Sequence, residues 1–218
     1  MLILAFDTAT PAVTVAVRDD SGLIAHESPV DSRRHGELLA PSIARVLAKA
    51  GAQPADVTTI AVGTGPGPYT GLRVGLVTAR ALGSALVVPV DGVCTLDVIA
   101  GEARHEAGGR EFIVATDARR REVYWARYSA DAARLSKPQV SLPTAIPPGY
   151  PVAGEGPRLH ADLSDVGELM GPRYPSAAEL AEIAAAHIAS GLPAAPPEAL
   201  YLRRPDAREP GRPKRVTP

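Results

Sequence analysis

The side chains best suited to chemistry lie where apolar runs end. Asp7, Thr8 and Thr10 follow the run Leu2–Phe6. A carboxylate with two hydroxyls could hold a metal-bound phosphate there, or form a turn and nothing more. Asp117 likewise closes the run Phe112–Thr116 and precedes Arg119-Arg120-Arg121. That charged turn could touch RNA phosphates, or stand in solvent as a hairpin tip. Between these two places lies a loop of glycine and proline, Gly63-Thr64-Gly65-Pro66-Gly67-Pro68-Tyr69-Thr70-Gly71. Its backbone N–H groups, at the start of a helix, could cradle a phosphate. The same residues also suit a turn with Thr70 as helix cap. The loop is not a P-loop, because no Gly-Lys-Ser/Thr follows and the only lysines are Lys49, Lys137 and Lys214. Arg73 falls in the first helical turn, where a cation opposes the helix dipole. That placement suggests a partner carboxylate or phosphate.

Other chemistries lack their residues. The histidines are His26, His35, His105, His160 and His187, and no two stand one helical turn apart, which argues against a helix-borne metal site. His35 with Glu37 is the most suggestive of them, against the alternative of a solvated helix end. Cys94 is the single cysteine, so it forms no internal disulfide or cysteine-based zinc site. It falls at a strand-to-helix junction, where a thiolate could be stabilised or a buried thiol simply packed. No Gly-x-Ser-x-Gly elbow occurs. No catalytic residue and no metal ligand is assigned.

The chain that must position these groups has 218 residues and a formal net charge of −1. No global basic field attracts nucleic acid or a membrane. The start Met1–Asp7 reads as a strand, not a leader, and no apolar run is long enough for a span, so a cytoplasmic protein is expected. Leu2–Phe6 reads as a strand buried on both faces. Ala12–Arg18 alternates, Asp19-Asp20-Ser21-Gly22 is a hairpin signal, and Leu23–Val30 returns. Ser32–Lys49 reads as a helix interrupted at Pro41 and capped by Gly51. Strand Thr58–Val62, helix Thr70–Leu86, strand Val87–Val90 and helix Thr95–Glu106 follow. Strands Phe112–Thr116 and Glu122–Tyr128 then repeat the opening strand–Asp–turn–strand order. Fourteen of the 22 prolines lie after residue 142, which disfavours a second complete helix-covered sheet. A capping box at Ser176–Glu179 opens a last helix to Ala189.

Small residues recur at every fourth position of the second helix: Gly71, Gly75, Ala79 and Gly83. An interior glycine costs a helix about 1 kcal/mol relative to alanine. Close approach by another backbone would offset that, and a partner protein is the expected occupant of the stripe. On that reading Gly75→Leu abolishes docking and leaves the monomer folded.

The stretch Gly63–Gly75 resembles the signature of the bacterial TsaB (YeaZ) family. Leu4–Thr10, His35–Pro41, Thr116–Tyr124 and Tyr201–Ala207 match the family in the same order. The resemblance implies the α/β fold of actin, sugar kinases and heat-shock chaperone ATPases (the ASKHA fold): two ribonuclease-H-like lobes, the second reduced. The lobes would be 1–107 and 108–190, with 190–205 packing back on the first and 206–218 a disordered tail. The resemblance implies a non-catalytic partner of TsaD in forming N6-threonylcarbamoyladenosine beside the anticodon of tRNAs that read ANN codons. TsaE would join with nucleotide, tRNA would be reached through the complex, and a homodimer is open to the chain when alone. The partner surface would be the first two helices, with His35, Leu39, Ile43, Thr70, Gly71, Arg73, Gly75, Ala79 and Gly83. Nucleotide contacts of the fold would map to Asp7, Thr8, Thr10, Gly65, Gly67, Asp117 and Arg119. No cofactor is intrinsic, and ATP or ADP would sit at the complex interface. An ATP-binding enzyme of the kinase-like fold, or a metallopeptidase, is the alternative.

Overall fold

A computed structural model describes residues 1–160 and 166–203. The expected tail 206–218 lies outside the described residues. The first sheet contains β1 (Ile3–Asp7), β2 (Thr14–Asp19), β3 (Gly22–Glu27), β4 (Thr59–Gly63) and β5 (Val90–Val93). Its order is β3-β2-β1-β4-β5. The first three strands are antiparallel neighbours, and β4 and β5 extend the sheet in parallel. The second sheet contains β6 (Phe112–Asp117), β7 (Val123–Tyr128), β8 (Gln139–Ser141) and β9 (Val152–Ala153), in the order β8-β7-β6-β9. It repeats the first, without a fifth strand among the described residues: β6 pairs antiparallel with β7 and parallel with β9. Two ribonuclease-H-like sheets, the second reduced, are the architecture.

The two periodicities of the sequence decide which helix covers which face. Leu4 and Phe6 of β1 point to α1 (His35–Lys49) and α2 (Tyr69–Leu86), where they meet Leu39, Ile43, Val46, Leu72 and Leu76. Ile3 and Ala5 point the other way, to Leu180, Ala181 and Ala184 of α5 (Ala177–Ala189). This last helix therefore lies on the first sheet, although it falls within 108–190. Helix α3 (Thr95–Ala103) covers one face of the second sheet through Leu96, Ile99 and Ala100 against Phe112, Val114 and Tyr128. The other face is covered by Ile146 and Val166, with Tyr150 beside them, from irregular segments. The remaining helix, α4 (Gly156–Leu159), is a single turn. Proline density explains the substitution of loop for helix there.

Several element ends differ from the sequence reading. Helix α1 begins at His35, not Ser32, and runs through Pro41. Gly51 closes it at φ +66°, with Gly51 N donating to Ala48 O and Ala52 N to Leu47 O, the expected left-handed cap. Helix α2 begins at Tyr69 after Pro68, whose carbonyl accepts from Leu72 N, so Thr70 is inside the helix and not its cap. Val87 is not a strand residue: it ends α2 in the left-handed region at φ 56°. Helix α3 stops at Ala103, short of Glu106. The Ser176–Glu179 capping box does not form, because Glu179 accepts from Arg104 Nη1 at 2.8 Å instead.

The largest correction concerns the small stripe. Gly71, Gly75, Ala79 and Gly83 are all buried, and they face this chain's own first sheet. A Cβ at Gly71 would lie 2.6 Å from Thr8 O, one at Gly75 2.5 Å from Thr8 Oγ1, and one at Gly83 2.4 Å from Val90 Cγ2. The occupant of the stripe is β1 and β5, not a second protein. Gly75→Leu is therefore expected to lower monomer stability by about 3 kcal/mol or more. Ala81→Leu, at an exposed position of the same helix, should stay within about 0.5 kcal/mol. Urea unfolding followed by circular dichroism measures both; an unshifted Gly75→Leu midpoint would mean that α2 can lift off β1.

Candidate functional site

The ends of β1 and β4 meet the start of α2 in a closed hydrogen-bond network. Asp7, fully buried, accepts from Ala9 N at 2.6 Å and from Thr95 Oγ1 at 2.7 Å. Thr95 Oγ1 in turn accepts from Gly65 N at 3.1 Å, and Thr95 N donates to Gly65 O at 2.8 Å. Gly63 must lack a side chain, since its Cβ would fall 1.8 Å from Asp7 Oδ2. Burial pushes the Asp7 carboxyl above its ordinary value, against the lowering effects of Thr95, Ala9 and His35. Thr8 Oγ1 donates to Gly71 O at 2.7 Å and accepts from Gly75 N at 3.0 Å. Its hydroxyl thus engages both groups of one i, i+4 pair in α2.

This places the expected nucleotide contacts in two groups. Asp7, Thr8 and Gly65 have their polar groups turned into the protein, and Gly67 packs with its Cα against Ala9 O, 2.1 Å from where a Cβ would be. The polar groups of Asp7, Thr8 and Gly65 are thereby committed within the chain. Thr10, Asp117 and Arg119 do come together, from the two lobes, with Thr116 and Glu155. The hydroxyls of Thr10 and Thr116 are buried there without a hydrogen-bond partner among the described residues. The void they line is about 10 Å³, room for about one water and too little for a phosphate. Beside it, a pocket of about 230 Å³ is lined by Thr8, Thr10, His35, Gly71 and Arg119. Outside the void the cleft widens to about 460 Å³ between Arg33, Asp31, Asp117 and Glu155.

Asp117 repeats the turn of Asp7. It accepts from Arg119 N at 2.8 Å, as Asp7 accepts from Ala9 N. Its second oxygen lies 3.4 Å from Arg119 Nη1, and His160 Nε2 is 3.7 Å from the first. His160 and Glu155 were invisible as site residues in sequence, because only the return of β9 and α4 to β6 brings them near. Glu155 is buried and accepts from Arg173 Nη2 at 3.2 Å and Tyr174 Oη at 2.8 Å. Among the described residues no three His, Cys, Asp or Glu converge as a metal-ligand set.

His35 is half-buried, and its Nε2 lies 2.8 Å from Thr10 O, which ties α1 to the β1–β2 turn; it is not a solvated helix end. Thr70 and Arg73 are exposed, and the Arg73 guanidinium lies 4.5 Å from the centre of the Tyr69 ring. Its partner within the chain is an aromatic face, not a carboxylate. Leu39 and Ile43 belong to the core, so they are not available to a partner. Burial, with Asp97 nearby, pushes the Cys94 thiol up to about 12, so it stays protonated and unreactive at neutral pH.

A family model described as TsaD, tRNA N6-adenosine threonylcarbamoyltransferase, matches residues 29–195. The chain is 38% identical over 131 residues to the tRNA threonylcarbamoyladenosine biosynthesis protein TsaB of Escherichia coli. That match covers 60% of this chain and 56% of the relative. It is 28% identical to the solved structure of YeaZ from Pseudomonas aeruginosa, with a TM-score of 0.80 over 92% of this chain and 99% of that one. The chain belongs to the TsaB (YeaZ) family. An uncharacterised protein of Mycobacterium tuberculosis is 44% identical over 208 residues, 94% of this chain and 93% of the relative. By contrast, the chain spans little more than half the length of the curated TsaB relative of E. coli. The sheet orders and the YeaZ match together make the fold ASKHA-like, as the resemblance implied.

The buried Asp7 of this TsaB-family chain has a pH signature. Its folded pKa is raised above the unfolded value of about 3.9, so the unfolded chain releases this proton first. The stability linked to Asp7 is full below the unfolded pKa and falls as pH rises through the folded pKa. In Asp7→Asn that component is absent. The difference in unfolding free energy, wild type minus variant, should shrink as pH rises through this window and then level off. Urea titrations from pH 3.5 to 7 measure it, and a difference independent of pH would contradict the assignment.

Proposed function

We propose that this chain is a non-catalytic partner of TsaD in the formation of N6-threonylcarbamoyladenosine beside the anticodon of tRNAs that read ANN codons. Membership of the TsaB family is the first support. The second, and the observation that carries the reading, is the outer face of α1 and α2. The two helices cover one face of the first sheet side by side. Ala40, Ala44 and Ala48 repeat at four-residue spacing along the exposed side of α1. Val77, 63% exposed, and Ala81 and Ala85 do the same on α2. Small apolar residues on two adjacent helices allow two helices of a partner to approach closely. Exposed Thr70 and Arg73 would stand at the rim of this contact.

TsaE, ATP or ADP at the joint between subunits, and a homodimer on the same face enter this reading through the resemblance alone. The competing reading, an ATP-using enzyme of the kinase-like fold, has less support. Its phosphate contacts would need Asp7 and Thr8, whose polar groups are committed to Ala9, Thr95 and α2.

Val77→Arg combined with Ala81→Arg tests the docking face. These positions are exposed in the monomer, so the circular dichroism melt should not move. A charge forced into an apolar contact should weaken binding to TsaD by about 100-fold or more. Co-elution on size exclusion and reconstituted threonylcarbamoylation of tRNA, with and without the chain, are the measurements. Unimpaired co-elution of the double variant would refute the face, and full modification without the chain would refute the function.

A further inference from the structure

We infer that a groove beside the N-terminus of α2 stacks an unpaired nucleotide of the tRNA; this rests on the tRNA reading above. The groove is about 560 Å³ and is lined by Pro68, Tyr69, Ala118, Tyr124, Tyr201 and Leu202, with the stacked Tyr69 and Tyr201 rings forming one wall. Aromatic residues make up 4% of the chain, yet three of its six tyrosines line this one place. Tyr69 and Tyr201 stack on each other with ring centres 5.7 Å apart and planes inclined by 28°. They remain 56% and 50% exposed. Large rings left half open to water at a concave surface are the ordinary platform for a nucleobase.

The charge around the groove matches a phosphodiester. Arg73 holds its guanidinium against the Tyr69 ring, and Arg119 and Arg203 line the lip. Arg203 is braced by Glu122 and by Ala118 O at 3.1 Å, which fixes its direction. The Arg119–Arg121 turn is held in the left-handed region at three successive residues, φ 62°, 56° and 62°. Such backbone costs energy at each position for residues with side chains, and the turn brings Arg119 and Arg120 to the groove. Asp117 and Glu122 pair with Arg119 and Arg203, so the lip offers directed guanidinium donors to a phosphodiester more than a net positive field.

An unpaired RNA strand fits better than a duplex because its bases offer their flat faces to the rings. Fluorescence anisotropy of a labelled tRNA with the full chain tests this. A second sample has the anticodon loop closed by a complementary oligonucleotide. The wild type should prefer the open loop. Tyr69→Ala with Tyr201→Ala should weaken binding roughly 10- to 100-fold, whereas Tyr69→Phe should retain it. Arg73→Gln should lower the slope of log affinity against log salt by about 0.7, a readout that stands if the tyrosine variant proves less stable. No binding by the wild type, equal binding of the closed loop, or unchanged affinity of both variants would overturn the proposal. Displacement of tRNA by micromolar AMP would overturn it too, by assigning the groove to a free nucleotide. Size exclusion with TsaD separates this from the function proposed above. A tyrosine variant that co-elutes with TsaD and binds tRNA normally sinks only the groove.

Discussion

One hydroxyl seats the second helix on the first strand. Thr8 Oγ1 donates to Gly71 O and accepts from Gly75 N, and this is possible only where neither helical residue has a Cβ. The two glycines cost about 1 kcal/mol each in an isolated helix. Two buried hydrogen bonds of about 1 kcal/mol each offset that, and the close approach adds the burial of Leu72, Leu76 and Ala79 in the core. From the same strand end Asp7 ties the loop to α3 through Thr95 and Gly65. The glycines of Gly63–Gly75 are thus largely spent inside the molecule, on letting strand ends, loop and helix share one small volume.

The two lobes use one device at their first strands and then diverge. Asp7 and Asp117 each end a strand and each accept from the backbone N–H two residues on. In the first lobe the remaining oxygen is sealed by Thr95. In the second lobe the Asp117 oxygens instead face Arg119 and His160, the latter at the end of the single turn α4. The reduction of the second lobe follows from chain chemistry. Prolines between 143 and 175 deny it the helices that cover the first sheet, and Ile146, Tyr150 and Val166 provide a cover of loops instead.

Much of this was legible in the residues. Continuous apolar runs ending in aspartate gave β1 and β6, the Asp19–Gly22 turn gave a hairpin, and Gly51 gave the end of α1. What stayed hidden was what each face meets. A four-residue repeat of small side chains says that something comes close, but not whether it is β1 or a second protein. Local capping patterns failed in two ways: distant Arg104 took Glu179, and α2 started one residue early, at Tyr69, so that Thr70 fell inside it. Tyr69 and Tyr201 are far apart in the chain, so no spacing rule could pair them. Their contact depends on the segment after α5 crossing the edge of β5, where Gly92 N donates to Ala195 O and Leu200 N to Thr64 O.

Once the inner stripe of α2 is assigned to the chain's own sheet, the helix still has two surfaces to offer. Its outer side carries Val77, Ala81 and Ala85, small and apolar, next to the alanines of α1. Its first turn carries Tyr69 and Arg73, aromatic and cationic, next to Tyr201 and Arg203. These compositions suit different partners: close helix packing needs small side chains, while base stacking needs broad rings with a cation beside them. A rigid helix keeps the two surfaces at a fixed separation. Its rigidity comes from the Thr8 joint and the buried glycines, so the packing inside the lobe is what would hold a protein partner and an RNA strand in register outside it.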